Sequence, residues 1–152
     1  MSTYKYIKCP KCGYEIKTYA NPIPTVDIII ELDNTQKIIL IKRKNPPLGY
    51  AIPGGFVDYK ETVEDAAIRE AFEETNLNVK LKYLLGVYSD PRRDPRNHTI
   101  STVFVATAKG EPKAGDDATG IVIVDPQKIT FPLCFDHEKI IADYLRVREV
   151  RG

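Results

Sequence analysis

The feature that most constrains this chain is a predicted helix that carries acidic side chains at helical spacing. A pair of glycines precedes this helix. Gly54 and Gly55 let the backbone turn sharply, and the segment that follows carries helix signals at both ends. Thr62 is a favourable N-cap, and Asn76, which tolerates the left-handed conformation, is a favourable residue to end the helix. Residues three and four positions apart share a helix face, so the pattern predicts three neighbouring carboxylates: Glu70, Glu73 and Glu74.

This acidic face has two interpretations from the residues alone. Charged helix faces are usually solvated, and each like-charged pair on adjacent turns costs about 0.2–0.5 kcal/mol in an isolated helix. Arg69 lies four residues before Glu73 and offsets part of that repulsion. Clustered carboxylates are also the ligands that hard cations such as Mg²⁺ and Mn²⁺ prefer, so the second interpretation is a metal centre.

The rest of the pattern predicts an α/β fold. Val63, Ala67 and Ala71 form an apolar stripe on the acidic helix, and Ile68 and Phe72 are expected to extend it. A second helix is expected behind Asp136. Segments with strand composition cover residues 24–32, 37–43, 79–88, 99–108 and 121–124. The first two strands are separated by a short turn and read as a hairpin, and the whole pattern predicts helices flanking a mixed sheet.

The spacing of the polar residues resembles the Nudix box. Gly55 is followed after five residues by Glu61, after seven more by Arg69-Glu70, and after two more by Glu73-Glu74. Asn76 stands where the box ends in a glycine, and Ala71 stands where a larger apolar residue is common. The resemblance implies a Nudix-type α/β/α sandwich and a hydrolase that cuts a diphosphate linkage with the help of Mg²⁺ or Mn²⁺.

The resemblance also implies roles for individual residues. Glu70, Glu73 and Glu74, with a backbone carbonyl of Gly54 or Gly55, would hold the divalent ions, and Arg69 and Glu61 would orient the cluster. Glu70 is the first choice for the general base that activates the attacking water. Acids of the later loop are the alternatives for that role: Glu111, Asp116 and Asp117.

Later segments narrow the expected substrate. Residues 89–101, 113–118 and 135–137 resemble the ADP-ribose pyrophosphatases of the Nudix family, which implies hydrolysis of ADP-ribose to AMP and ribose 5-phosphate. Guanidinium groups match phosphate oxygens in bidentate geometry, which gives four candidate phosphate ligands: Arg43, Arg92, Arg93 and Arg96. The members resembled often carry a glutamate and an aromatic residue where this chain has residues 119–123. The alternatives are a nucleoside triphosphate or oxidised-nucleotide pyrophosphohydrolase, and a Nudix module that senses a nucleotide without cutting it.

Composition excludes several other classes of protein. The 152 residues suit one core, and the net charge of +1 argues against a nucleic-acid or membrane surface. No apolar run is long enough to span a membrane and no secretory signal is evident, so a cytoplasmic protein is expected. We expect a short appendage over residues 1–22, a Nudix domain over residues 23–152, and assembly as a homodimer.

The appendage contains a cysteine pair that looks like half a zinc ribbon. Cys9 and Cys12 could supply two of the four ligands that a structural Zn²⁺ normally takes. Cys134 and His137 could contribute only if the fold brought them near, and two copies of the chain could share one ion. A turn without metal is the equal alternative.

Overall fold

A computed structural model describes residues 3–115 and 118–152 of the chain. The strands are β1 (Tyr4–Lys8), β2 (Glu15–Tyr19), β3 (Ile23–Leu32), β4 (Ile38–Arg43), β5 (Tyr50–Ala51), β6 (Gly54–Phe56), β7 (Val79–Tyr88), β8 (Thr99–Ala108) and β9 (Ala118–Val124). The helices are α1 (Val63–Thr75) and α2 (His137–Arg151), with a short 3-10 helix at Pro126–Lys128. None of the described helices is long and apolar enough to cross a membrane.

The central strand β3 organises the sheet. It runs parallel to β8 along its whole length, and β8 continues antiparallel into β7. The first residues of β3 pair with the short strand β6, so that Asp27 lies opposite Gly54. The predicted hairpin between β3 and β4 is present only at its closed end, where Glu31 pairs with Ile38. Beyond that pair β4 turns to β9 and β5, because the start of β3 is already bonded to β6.

Both faces of β3 are covered, which makes the fold a three-layer sandwich. Successive side chains of a strand point to opposite faces. Ile28 and Ile30 pack in one core with Ala67 of α1, whereas Ile29 packs in the other core with Ile140 of α2. The continuous apolar run of β3 follows from this double burial, and the predicted α/β/α sandwich with a mixed sheet is confirmed.

The acidic helix begins and ends where the sequence predicts. The Thr62 side chain accepts a hydrogen bond from the amide of Asp65, and Asn76 closes the helix in the left-handed conformation with φ of 57°. The buried stripe consists of small residues, Ala66, Ala67 and Ala71, which let the helix approach the sheet closely. The prediction that the stripe includes two larger residues is wrong, since their side chains lie on the outer flank: Ile68 and Phe72.

The first two strands form a separate ribbon. β1 pairs with β2 in antiparallel register from Tyr4 opposite Tyr19 to Lys8 opposite Glu15. This sheet is distinct from the seven-stranded sheet of the described residues. Most of its side chains are exposed on both faces, so it has no core of its own.

Candidate active site

A pocket of 340 Å³ lies where α1, β3, β6 and the start of α2 meet. It is lined by Glu70 and Glu74 of α1, which we call its acidic side. It is also lined by Arg43 and Arg96, which we call its basic side, and by Arg93. Phe56 and Phe135 also line it. A pocket with a negative and a positive side suits a ligand that carries both cations and phosphate groups.

Arg69 organises the acidic side from one position on α1. Its guanidinium group holds Glu61 in bidentate geometry, at 2.7 Å and 2.8 Å. The same group donates to Glu70 at 2.8 Å and to Glu73 at 3.2 Å. It also donates to the backbone carbonyl of Phe56 at 3.0 Å, which ties the helix to the loop before it. The hydrogen bonds from Arg69 lower the pKa of Glu61 to about 2, so Glu61 stays ionised and fixes the guanidinium.

The carboxylates of Glu70 and Glu74 are not fully neutralised by the positive charge around them. Glu74 is buried and accepts a hydrogen bond from the Gly54 amide at 2.9 Å. Burial raises the pKa of Glu74 to about 8, against the effect of that hydrogen bond. Burial also raises the pKa of Glu70, although Arg69 opposes the shift. A cation placed between the two would relieve this cost, so the donor set fits a hard divalent ion.

Gly55 allows the carboxylate of Glu70 to lie against the backbone. A Cβ built on Gly55 would be 2.3 Å from the nearer carboxylate oxygen. Any side chain here would displace Glu70. The sequence pattern demanded a glycine at this position, and this close approach is its physical reason.

Glu73 lies apart from the other two carboxylates. Its side chain is 55% exposed and bonds Arg69 at the rim, and it does not line the pocket. Within residues 3–115 and 118–152, no three His, Cys, Asp or Glu side chains converge closely enough to form a ready metal cage. Of the three predicted carboxylates, the structure brings Glu70 and Glu74 to one pocket and leaves Glu73 beside it.

A buried polar network under the pocket escaped the sequence analysis. Asp27 accepts hydrogen bonds from Ser101 and from Arg93, and its other oxygen lies 3.3 Å from Nε2 of His137. Nδ1 of His137 accepts a hydrogen bond from the amide of Ile52 at 3.0 Å. The contacts to Asp27 lower its pKa despite full burial. An isolated aspartate in an apolar run was the only available signal, and it does not reveal partners 66 to 110 residues away along the chain.

The three arginines of the loop before β8 are separated by the fold. Arg93 is buried, and its guanidinium is held by Asp136 at 2.7 Å and by Asp27 at 3.3 Å. Arg92 bonds Asp90 on the exposed surface and does not line the pocket. Arg96 is held by Asp94 at 2.8 Å and does line the pocket.

Arg43 and Arg96 approach the same aromatic ring. The guanidinium carbon of Arg43 lies 4.8 Å from the ring centre of Phe135, and that of Arg96 lies 5.3 Å from it. Nε of Arg43 also donates to the carbonyl of Pro47 at 2.8 Å. Of the four predicted phosphate ligands, Arg43 and Arg96 are thus both held beside Phe135 in the pocket, and their binding of phosphate stays a prediction.

The cysteines of the predicted zinc site lie outside the pocket. Cys9 and Cys12 lie in the turn between β1 and β2, where the Gly13 amide donates to the carbonyl of Cys9. Cys134 is buried in a core cluster and His137 is bound to Ile52, so neither reaches the turn and the zinc prediction gains no ligand among the described residues.

Of the alternative bases, Glu111 is exposed and does not line the pocket. The other two alternatives, Asp116 and Asp117, lie outside the described residues.

Known proteins resemble this chain throughout the sandwich. The family described as NUDIX domain matches residues 21–144, which includes the whole pocket. The chain belongs to the Nudix family. An ADP-ribose pyrophosphatase of Methanocaldococcus jannaschii is 55% identical over 133 residues, which is 86% of this chain and 77% of that protein. A putative 8-oxo-dGTP diphosphatase of Bacillus subtilis is 34% identical over 117 residues, which is 76% of each.

A solved structure extends the likeness to three dimensions. It is a bifunctional NMN adenylyltransferase/ADP ribose pyrophosphatase from Francisella tularensis, complexed with AMP and a manganese ion. Its TM-score is 0.74 at 29% identity, and the match covers 84% of this Nudix chain. This chain spans 42% of that protein, so only the shared part is comparable.

Proposed function

We propose that this protein hydrolyses the diphosphate linkage of ADP-ribose, releasing AMP and ribose 5-phosphate, with Mg²⁺ or Mn²⁺ as cofactor. The observation that carries the proposal is the pocket in which Glu70 and Glu74 face Arg43 and Arg96. The 55% identity to an ADP-ribose pyrophosphatase supports the choice of substrate.

The acidic side is the proposed cation site. Glu70 and Glu74 would hold the ions together with a backbone carbonyl of Gly54 or Gly55, and Glu73 of the same helix would complete the set only after a change of rotamer. Bound divalent cations supply charge neutralisation for the diphosphate and lower the pKa of a water molecule. The raised pKa values of the two carboxylates in the structure support the fit, because a nearby cation would offset the cost of burying their charged forms.

Glu70 is the proposed general base. Its carboxylate is half-buried against Gly55 and is oriented by Arg69. Arg69 itself is fixed by Glu61, so the position of the base depends on residues that touch no substrate.

The basic side is the proposed phosphate site. Arg43 and Arg96 would bind phosphate oxygens opposite the cations. Arg93 lines the pocket but is already used by Asp136 and Asp27, so we assign it a structural role in the pocket wall. A second cavity of 760 Å³ adjoins the pocket at Arg93 and Phe135, and it offers room for one of the two ribose-bearing groups of the substrate. Arg92 lines that second cavity.

Hydrolysis of an oxidised nucleotide is the second candidate function. The 34% identity to a putative 8-oxo-dGTP diphosphatase favours it, and the same pocket would serve a triphosphate. A sensing module without catalysis is less well supported, because the acids of the box and their arginine are all present. We further propose that the chain forms a homodimer, since the outer flank of α1 exposes Ile68 and Phe72.

A substrate panel tests the proposal directly. The wild-type protein with Mg²⁺ or Mn²⁺ should release AMP from ADP-ribose faster than it cuts 8-oxo-dGTP, NADH, nucleoside triphosphates or dinucleoside polyphosphates. Glu70→Gln should lower kcat about 100-fold to 10,000-fold, the range for loss of general base catalysis, and Glu74→Gln should also lose most activity. Glu64→Gln, an exposed acid on the same helix, is the matched control and should behave as wild type. Inertness of the wild-type protein toward the whole panel would contradict the proposal.

A further inference from the structure

Ile52, Gly54 and Gly55 line the pocket, and three elements hold the segment of residues 52–55 that contains them. The Gly54 amide is bound by Glu74 of α1 at 2.9 Å. The carbonyl of Pro53 is bound by the amide of Ile28 in β3 at 2.8 Å. The Ile52 amide is bound by the ring of His137, the first residue of α2, at 3.0 Å. The first two contacts come from α1 and the sheet, whereas the third comes from the other helix layer of the sandwich.

The hydrogen bonds of His137 define which ring nitrogen carries the proton. Because Nδ1 accepts from the Ile52 amide, the proton of the neutral ring is on Nε2, which then donates to Asp27. The ring is 1% exposed, so water does not compete for either contact. Both ring nitrogens are therefore used, one on the pocket floor and one on the strand beneath it.

The Asp27 oxygen that bonds His137 is also the one that lies against Gly54. A Cβ built on Gly54 would be 2.7 Å from this oxygen, and Gly54 is opposite Asp27 in the pairing of β3 with β6. Any shift of Asp27 would therefore disturb the position of Gly54. His137 thus restrains the segment at two points, directly at Ile52 and through Asp27 at Gly54.

We infer that His137 is a positioning residue for the divalent cation site, acting through the backbone of residues 52–55. The inference rests on the proposed function, in which a carbonyl of Gly54 or Gly55 is a cation ligand. His137 lines the pocket, and the role inferred for it runs through its contacts with Ile52 and Asp27. It fixes the carbonyl in the direction that the cation requires, in the way that hydrogen-bonding partners behind metal ligands tune affinity.

Three variants separate this role from simple packing. His137→Leu removes both hydrogen bonds, whereas His137→Gln keeps an acceptor for Ile52 and a donor for Asp27. The chain contains two histidines, and His98 is exposed and bonds only the carbonyl of Ser89, so His98→Leu is the matched control. The dissociation constant of Mn²⁺ is measured on the full chain without substrate, by titration calorimetry or electron paramagnetic resonance, together with the thermal midpoint.

The expected result is a loss of cation affinity that the conservative variant reverses. His137→Leu should raise the dissociation constant of Mn²⁺ roughly 10-fold to 100-fold, the usual effect of removing such a partner. His137→Gln should restore most of the affinity, and His98→Leu should not change it. In the hydrolysis assay, extra Mn²⁺ should recover the activity of His137→Leu, while KM for ADP-ribose at saturating Mn²⁺ stays as in wild type.

Opposite results would overturn the inference. A folded His137→Leu protein that binds Mn²⁺ as tightly as wild type shows that His137 only packs. If His137→Leu does not fold, His137→Asn replaces it, because its shorter side chain reaches one partner and should give a smaller loss. Wild-type affinity in His137→Asn would then overturn the inference. A wild-type protein that binds Mn²⁺ but cuts none of the panel contradicts the proposed function alone, and one that binds no Mn²⁺ contradicts both.

Discussion

At the scale of one residue, Gly55 shows how the backbone leaves space for a side chain of the site. Its hydrogen atom faces the Glu70 carboxylate, and no other residue leaves that space free. Arg69 pulls the same carboxylate from the other side at 2.8 Å. The orientation of the proposed base therefore depends on a missing side chain as much as on an ion pair.

Gly55→Ala should inactivate the protein without unfolding it. The new methyl group would meet the end of the Glu70 side chain, which can move, rather than backbone, which cannot. A displacement of about 1 Å of a catalytic group can lower kcat about 100-fold. Gly120→Ala is the control, since its nearest neighbour is 3.9 Å away in ordinary contact. Steady-state kinetics and thermal melts measure both effects, and full activity in Gly55→Ala would refute this account of the glycine.

Residues of the site were predictable when their partners are close in sequence. Helical spacing predicted that Arg69 meets Glu73, one turn along α1. The contacts of Arg69 with Glu61 and Glu70 were implied only by the resemblance to the Nudix box. Asp27 and His137 meet only because α2 packs on the odd-numbered face of β3, which no local pattern encodes. Arg93 was interpreted as a phosphate ligand for the same reason, because its two buried aspartates come from distant segments.

Whether a strand could be predicted from the sequence also depended on whether the interactions that form it are local or distant. The strands β7 and β8 have the predicted bounds because their composition and the polar loop between them mark both ends. The strand β6 was read as a turn, since a strand of three residues with two glycines carries no alternating pattern. The strand β6 forms because its backbone pairs with that of β3.

The ribbon of β1 and β2 is the element that we expect to be dispensable. A two-stranded hairpin is at best marginally stable in water, and both faces of this one are largely exposed. The family match begins at residue 21, behind the ribbon. Deleting residues 1–20 should leave the thermal midpoint and the kcat/KM of ADP-ribose hydrolysis unchanged relative to the full chain. A truncated protein that is inactive or unfolded would show that the ribbon belongs to the catalytic domain.

At the scale of the whole molecule, the fold brings acidic and basic side chains to one pocket. One helix layer supplies Glu70 and Glu74, the sheet supplies Arg43, and the start of the other helix layer supplies Phe135. The sandwich keeps the acidic groups in surroundings that raise their pKa values, and a bound cation would offset that cost of burial. The account therefore depends on cations binding at this acidic side.

Anomalous diffraction from crystals grown with Mn²⁺ and the non-hydrolysable α,β-methylene analogue of ADP-ribose tests this claim most directly. The account predicts manganese peaks against the carboxylates of Glu70 and Glu74, with the phosphate oxygens of the analogue between these ions and Arg43 and Arg96. Ordered analogue in the pocket with no manganese at those carboxylates would contradict the account.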